Sequence, residues 1–149
     1  MTTPNAPLVI DFVSDVACPW CAVGLAGLEK ALDELKGEVD VELRFQPFEL
    51  NPTIALEGVD AAAYLKTKYG LSDEQLRVNQ ARIHERGAEA GFSFGQRTRI
   101  WGTFDAHRLL AWALDSGGPQ AQHRLKRALL EADHGQGRFV HGHRLDRVA

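Results

Sequence analysis

The chain holds two cysteines, spaced as Cys18-Pro19-Trp20-Cys21. Thiols two residues apart can form and break a disulfide, moving two electrons in or out of a partner. If a helix starts at or just after Cys18, its first N–H groups lack partners and carry partial positive charge. A thiolate at Cys18 would be stabilised there and its pKa lowered. Cys21, one turn further in, should be more buried and stay protonated longer. The expected roles follow: Cys18 attacks a substrate sulfur and Cys21 resolves the mixed disulfide. Pro19 lacks an N–H that would have had no partner and sets φ for the first turn. Trp20 adds a flat apolar surface beside the sulfur but no charge, so Cys18 should be depressed less than a His in that slot would achieve.

Other chemistries are open to a C-x-x-C. Zinc would need four ligands; there is no second cysteine pair, and the nearest histidine in sequence is His84. His141 and His143 are too remote to count on. Two inert cysteines are the remaining alternative. The redox reading is preferred because of what flanks the pair, and neither a metal nor an organic cofactor is expected.

The elements that must position the thiols are legible. Leu8 to Ser14 is a short β-branched apolar run, read as a buried strand. Asp15 to Cys18 is the turn out of it. From Pro19, Leu25, Leu28, Leu32 and Leu35 recur at helical spacing until Gly37. Val39 to Pro47 alternates, with Val39, Val41, Leu43 and Phe45 on one face. Strand, helix and strand of these lengths predict a parallel pair with a right-handed crossover.

After a loop at Phe48–Gly58 the strand signals stop. Asp60 caps a helix to Tyr69, closed by Gly70. Ser72 and Gln75 form a capping box for a helix from Asp73 to about Glu89. Arg77, Arg82 and Arg86 read as its solvated face. Gly91 to Gly102 is irregular. Thr103 caps a helix to Asp115 with Ala106, Leu109, Leu110 and Ala113 inward. After a turn at Ser116–Gly118, Pro119 starts a last helix lined by Leu125, Ala128, Leu129 and Ala132. Residues 133–149, rich in His, Arg and Gly, read as an exposed, disordered tail.

Composition sets the class. With 44% hydrophobic and 25% charged residues and a net charge of −3, the chain reads as one globular unit with no nucleic-acid partner. No apolar run reaches the about 20 residues of a membrane helix, and the N-terminus lacks the basic start of a secretory signal. The expected location is cytoplasmic, where thiols are catalytic more often than structural.

The segments Ile10–Cys21, Arg44–Pro52 and Thr103–Leu110 resemble the DsbA family of dithiol–disulfide oxidoreductases, closest to FrnE-like isomerases. The resemblance spans roughly Leu8 to Ala132. It implies an α/β, thioredoxin-like fold: residues 8–52 form its N-terminal βαβ half, residues 53–132 an inserted helical region and the helix after it. It also implies Cys18 as nucleophile, Cys21 as resolving thiol, protein thiols or disulfides as substrates, and a cellular thiol reductant or oxidant as partner. Asp11 lies near where relatives hold a buried acid, one residue out of step, so a plain strand-end carboxylate is the preferred reading. Phe104 and His107 resemble residues facing the active site, though for His107 a structural helix histidine is equally expected. Gly102 stands where relatives often carry Asn.

The family's later parts, a cis-proline loop, two further strands and a final helix, have no counterpart after Ala132. The expectation is a truncated or frameshifted member with exposed sheet edges that favour dimerisation. Two other functions compete: an incomplete, catalytically weak fragment that binds hydrophobic or unfolded chains, and a kappa-type glutathione-dependent isomerase. Cys21 argues against the latter, since such relatives carry Ser at the first position and lack the second thiol.

Overall fold

The computed structural model describes residues 6–138. Strand β1 (Leu8–Ser14) leads through a tight turn into helix α1 (Pro19–Glu34), and the chain returns as β2 (Val41–Pro47), parallel to β1 with Phe12 opposite Phe45. The predicted βαβ unit is therefore present. On one face of β1 Ser14 is buried and Ile10 and Phe12 are half-buried, while Leu8, Val9 and Val13 are exposed. The expectation of a fully buried strand fails because helices cover the sheet on one side of β1 only.

Caps set the helix boundaries. The Asp60 carboxylate accepts the Ala63 N–H at the head of α2 (Ala61–Tyr69), and Gly70 closes it with φ of 64°. Ser72 and Gln75 form the reciprocal capping box of α3 (Asp73–Ala90). Arg77, Arg82 and Arg86 are exposed along α3 as read. A feature without a strand signal joins the helical region: β3 (Val59–Asp60) pairs antiparallel with β4 (Arg99–Ile100). Two residues per strand are too few to show alternation.

Helix α4 (Phe104–Leu130) breaks at Gly118, with φ of 78° and ψ of −176°, and Pro119 begins its second arm. Glu131–Gly135 continue as a π-helical turn. Asp133 and His134 are buried there, so the chain stays packed beyond Ala132 and the exposed tail does not begin at Asp133. Residues 139–149 lie outside the described residues.

The largest apolar cluster joins Ala22, Leu25 and Ala26 of α1, Leu43 and Phe45 of β2, and Phe92 and Leu130. Each large member contributes about 1.5–3 kcal/mol by leaving water. The two predicted segments thus share a core. Val16, Ala106, Leu110, Leu129 and Ala132 form a second cluster where the arms of α4 meet the β1–α1 turn. On the outer side of β2, the Gln122 side chain accepts from the Phe45 N–H at 2.9 Å and donates to the Phe45 carbonyl at 3.0 Å. No helix among the described residues is long and apolar enough to cross a membrane.

Candidate active site

Cys18 is the N-cap of α1, and Pro19 opens the first turn. The Cys18 sulfur accepts the Cys21 N–H at 3.3 Å, so a thiol does the work usually done by a capping oxygen. Both cysteines are reduced and half-buried, so the expected difference in exposure is absent. Trp20, 46% exposed, stands open beside them. Pro19 lines an open groove of about 700 Å³ shared with Leu65, Ile83, Phe94 and Arg97.

The two thiols are hydrogen-bonded to each other. A hydrogen bond between the side chains raises the Cys18 thiol and lowers that of Cys21 to about 6, where the Asp15 N–H and the Lys126 ammonium also favour the anion. The pair loses one proton readily and a second with difficulty. The bond between the thiols works against the order read from the helix terminus. The backbone N–H groups of Trp20 and Cys21 do favour a Cys18 thiolate, but the bond to Cys21 and burial outweigh them.

The turn ahead of Cys18 is held from three directions. Asp15, 2% exposed, accepts from the Ala17 N–H at 3.3 Å and the Leu50 N–H at 2.8 Å. His107 Nε2 lies 3.1 Å from Asp15 Oδ1 and 3.0 Å from the Phe48 carbonyl. Both are acceptors, so Nε2 carries the proton. The Thr103 hydroxyl also favours the Asp15 carboxylate, and Thr103, at the N-cap position of α4, makes no side-chain cap bond, unlike the cap its sequence position predicts. Burial pushes the Asp15 pKa up, but these bonds outweigh it and the net shift is down.

Two carbonyls of the turn are gripped by side chains from the final turn and from the loop after α3. His134 Nε2 donates to the Val16 carbonyl at 2.7 Å, and Arg97 donates to that of Ala17 at 3.0 Å. Arg97 also makes two bonds of 3.1 Å to the Asp133 carboxylate. Burial holds His134 neutral, its pKa lowered to about 3, and pushes Asp133 up to about 6 against the pull of Arg97.

The remaining predicted positions fall elsewhere. Asp11 is exposed and accepts from Gln46 Nε2 at 2.8 Å, an edge carboxylate as preferred. The buried acid is Asp15. Phe104 is exposed. A Cβ at Gly102 would stand 2.7 Å from the Ile54 carbonyl oxygen, so an Asn there would force the backbone apart. No group of three or more His, Cys, Asp or Glu suited to a metal occurs among the described residues. Sequence reasoning missed Asp15, Arg97, Asp133, His134 and Lys126. The signal available for Lys126 was its helical spacing from Gln122 and Leu129.

The DsbA-like thioredoxin domain model matches residues 9–149. The chain belongs to the DsbA-like thioredoxin domain family. Its solved-structure matches include a probable DsbA oxidoreductase from Streptomyces coelicolor, 34% identical with a TM-score of 0.84, over 95% of this chain and 61% of that one. The chain thus spans less than two thirds of that relative. No curated protein gives a significant match. The fold is the thioredoxin-like α/β fold expected from the resemblance. The family model also runs through residues 133–149, which the sequence reading set apart as divergent.

Proposed function

We propose that this DsbA-family chain is a thiol–disulfide oxidoreductase or isomerase working on protein dithiols and disulfides through Cys18 and Cys21. The observation that carries the reading is the sulfur of Cys18 capping α1 and bonded to the N–H of the second cysteine. In reduction, a thiolate at Cys18 attacks a substrate sulfur. The substrate S–S bond breaks, one substrate thiolate leaves and takes a proton, and a mixed disulfide remains. Cys21 then attacks the Cys18 sulfur, releasing the second substrate thiolate and closing the Cys18–Cys21 disulfide. A cellular thiol restores the dithiol; running backwards, the same steps oxidise a substrate. Pro19 shapes the first turn, and Trp20 offers an apolar contact to substrate.

Cys18 is assigned the attacking role because its sulfur takes the free N–H groups of the helix terminus. The lowered pKa of Cys21 arises from the thiol–thiol hydrogen bond of the resting pair, which an incoming substrate sulfur breaks. The pair suits a reducing compartment such as the cytoplasm. The test is disulfide reduction in insulin with dithiothreitol as electron source. Cys18→Ser should fall to background, and persistent activity would refute the assignment.

A second reading, binding of unfolded chains without redox chemistry, is favoured by exposed Val13, Trp20, Phe48, Phe104 and Trp112. It requires that suppression of aggregation of a denatured client survive replacement of both cysteines by Ser.

A further inference from the structure

Lys126 is fully buried, at 0% exposure, and its Nζ has no hydrogen-bond partner among the described residues. A lysine in that state costs several kcal/mol in lost hydration, so its place needs a compensating anion. The Phe45 ring, with its centroid 5.8 Å from Nζ, offsets only part of this. The carboxylate of Asp15 is already engaged by Ala17, Leu50 and His107, and Lys126 forms no ion pair with it. Asp115 lies at the exposed mouth of the narrow cavity, about 100 Å³, that Lys126 lines with His107 and Gln122. Besides Asp15, the groups near Lys126 that can take up negative charge are the sulfurs of Cys18, the N-cap of α1, and Cys21 in its first turn.

We propose that Lys126 is a positioning residue of the dithiol, its unpartnered buried ammonium supplying the counter-charge for the Cys21 sulfur whenever the Cys18–Cys21 disulfide opens. The inference rests on the redox role proposed above. When a substrate thiolate attacks Cys18, the Cys18–Cys21 bond breaks and Cys21 leaves with the electron pair. Lys126 keeps its proton throughout and meets the new charge. A second substrate thiolate then attacks the mixed disulfide, forming the substrate disulfide and releasing Cys18; two electrons have passed from substrate to the pair. The electrostatic coupling of Lys126 to Cys21, Asp15 and Cys18 agrees with this placement, and burial brings the lysine down to about 8. The titratable groups around it are Cys18 and Cys21 at the start of α1, Asp15 from the turn, His107 and Asp115 from α4, and His134 from the final turn. The support is present at neutral pH and is lost as pH rises through about 8.

The test is the thiolate titration, followed by ultraviolet absorbance, and the disulfide equilibrium with glutathione in the full chain. Lys126→Met keeps the apolar stem and removes the charge. Its thiolate midpoint should rise by about one pH unit. Its equilibrium should shift at least about tenfold toward the disulfide, about 30 mV more reducing, while Lys126→Arg stays near the unsubstituted protein. A Lys126→Met protein that forms the disulfide yet matches the unsubstituted chain within twofold overturns the proposal. A chain that forms no Cys18–Cys21 disulfide at all overturns the redox role instead. If Lys126→Met does not fold, NMR of the unsubstituted chain decides. The Lys126 side-chain titration should fall on oxidation, when its thiolate partner is gone; identical titrations in the two forms overturn the proposal.

Discussion

Asp15 gathers hydrogen bonds from Ala17, Leu50, Thr103 and His107 onto one carboxylate. The donors come from the turn itself, the loop after β2 and the start of α4, so the turn that presents Cys18 is located by an anion. Asp15→Asn keeps the shape but loses the charge, and should cost about 1–3 kcal/mol in urea unfolding at neutral pH. Because the folded carboxyl titrates below its ordinary value, this stabilisation is present above about pH 4 and is lost as pH falls through the lowered folded value. The gap between Asp15→Asn and the unsubstituted chain should therefore close in acid; a gap independent of pH would show that the charge does not matter. The sequence places Asp11 one residue out of step with a family position for a buried acid and favours a strand-end carboxylate there, but carries no signal for Asp15. Only the pleat decides between the two: Asp11 points off the exposed side of β1, and Asp15 lies past the strand end, where the chain turns inward.

The elements were the most legible level, because caps and periodicity are local. Asp60, the Ser72–Gln75 box, Gly70 and Gly91 each ended a helix where read. The second arm of α4 shows the limit. Apolar spacing placed Leu125 and Ala128 inward, but both are half-buried, while Gln122 and Lys126 are buried. The stripe is turned because Gln122 is drawn to the backbone of β2, and hydrophobicity carries no trace of that bond. Gly118 sets the direction of this arm. Its φ of 78° with ψ of −176° is a region essentially reserved for glycine, and a Cβ there would meet no atom within 4 Å. Gly118→Ala should thus cost about 1–3 kcal/mol by backbone strain alone, seen as a lower thermal midpoint. An unchanged midpoint would mean the bend is not required.

At the scale of the molecule, Arg97 ties the loop after α3 to the Ala17 carbonyl and to Asp133 in the final turn. Arg97→Ala leaves a buried carboxylate unpaired, which should cost about 3–5 kcal/mol. The double variant with Asp133→Asn should recover part of that loss in a denaturant cycle. Simple additivity would deny the coupling. None of this was readable in advance, because Arg97 sits in an irregular segment and Asp133 lies where composition changes. Partners 36 residues apart leave no local pattern.

The amide of Gln122 has a consequence for how the sheet can be extended. By taking both the N–H and the carbonyl of Phe45, it imitates a neighbouring strand for one residue and occupies the outer border of β2. A segment seeking to lengthen the ladder there must first evict a buried side chain. The border of β1 away from β2 carries no such plug among the described residues, and Leu8, Val9 and Val13 stand open on that strand. The ladder therefore has a polarity: one border is sealed by a glutamine, and recruitment of any further strand is directed to the other.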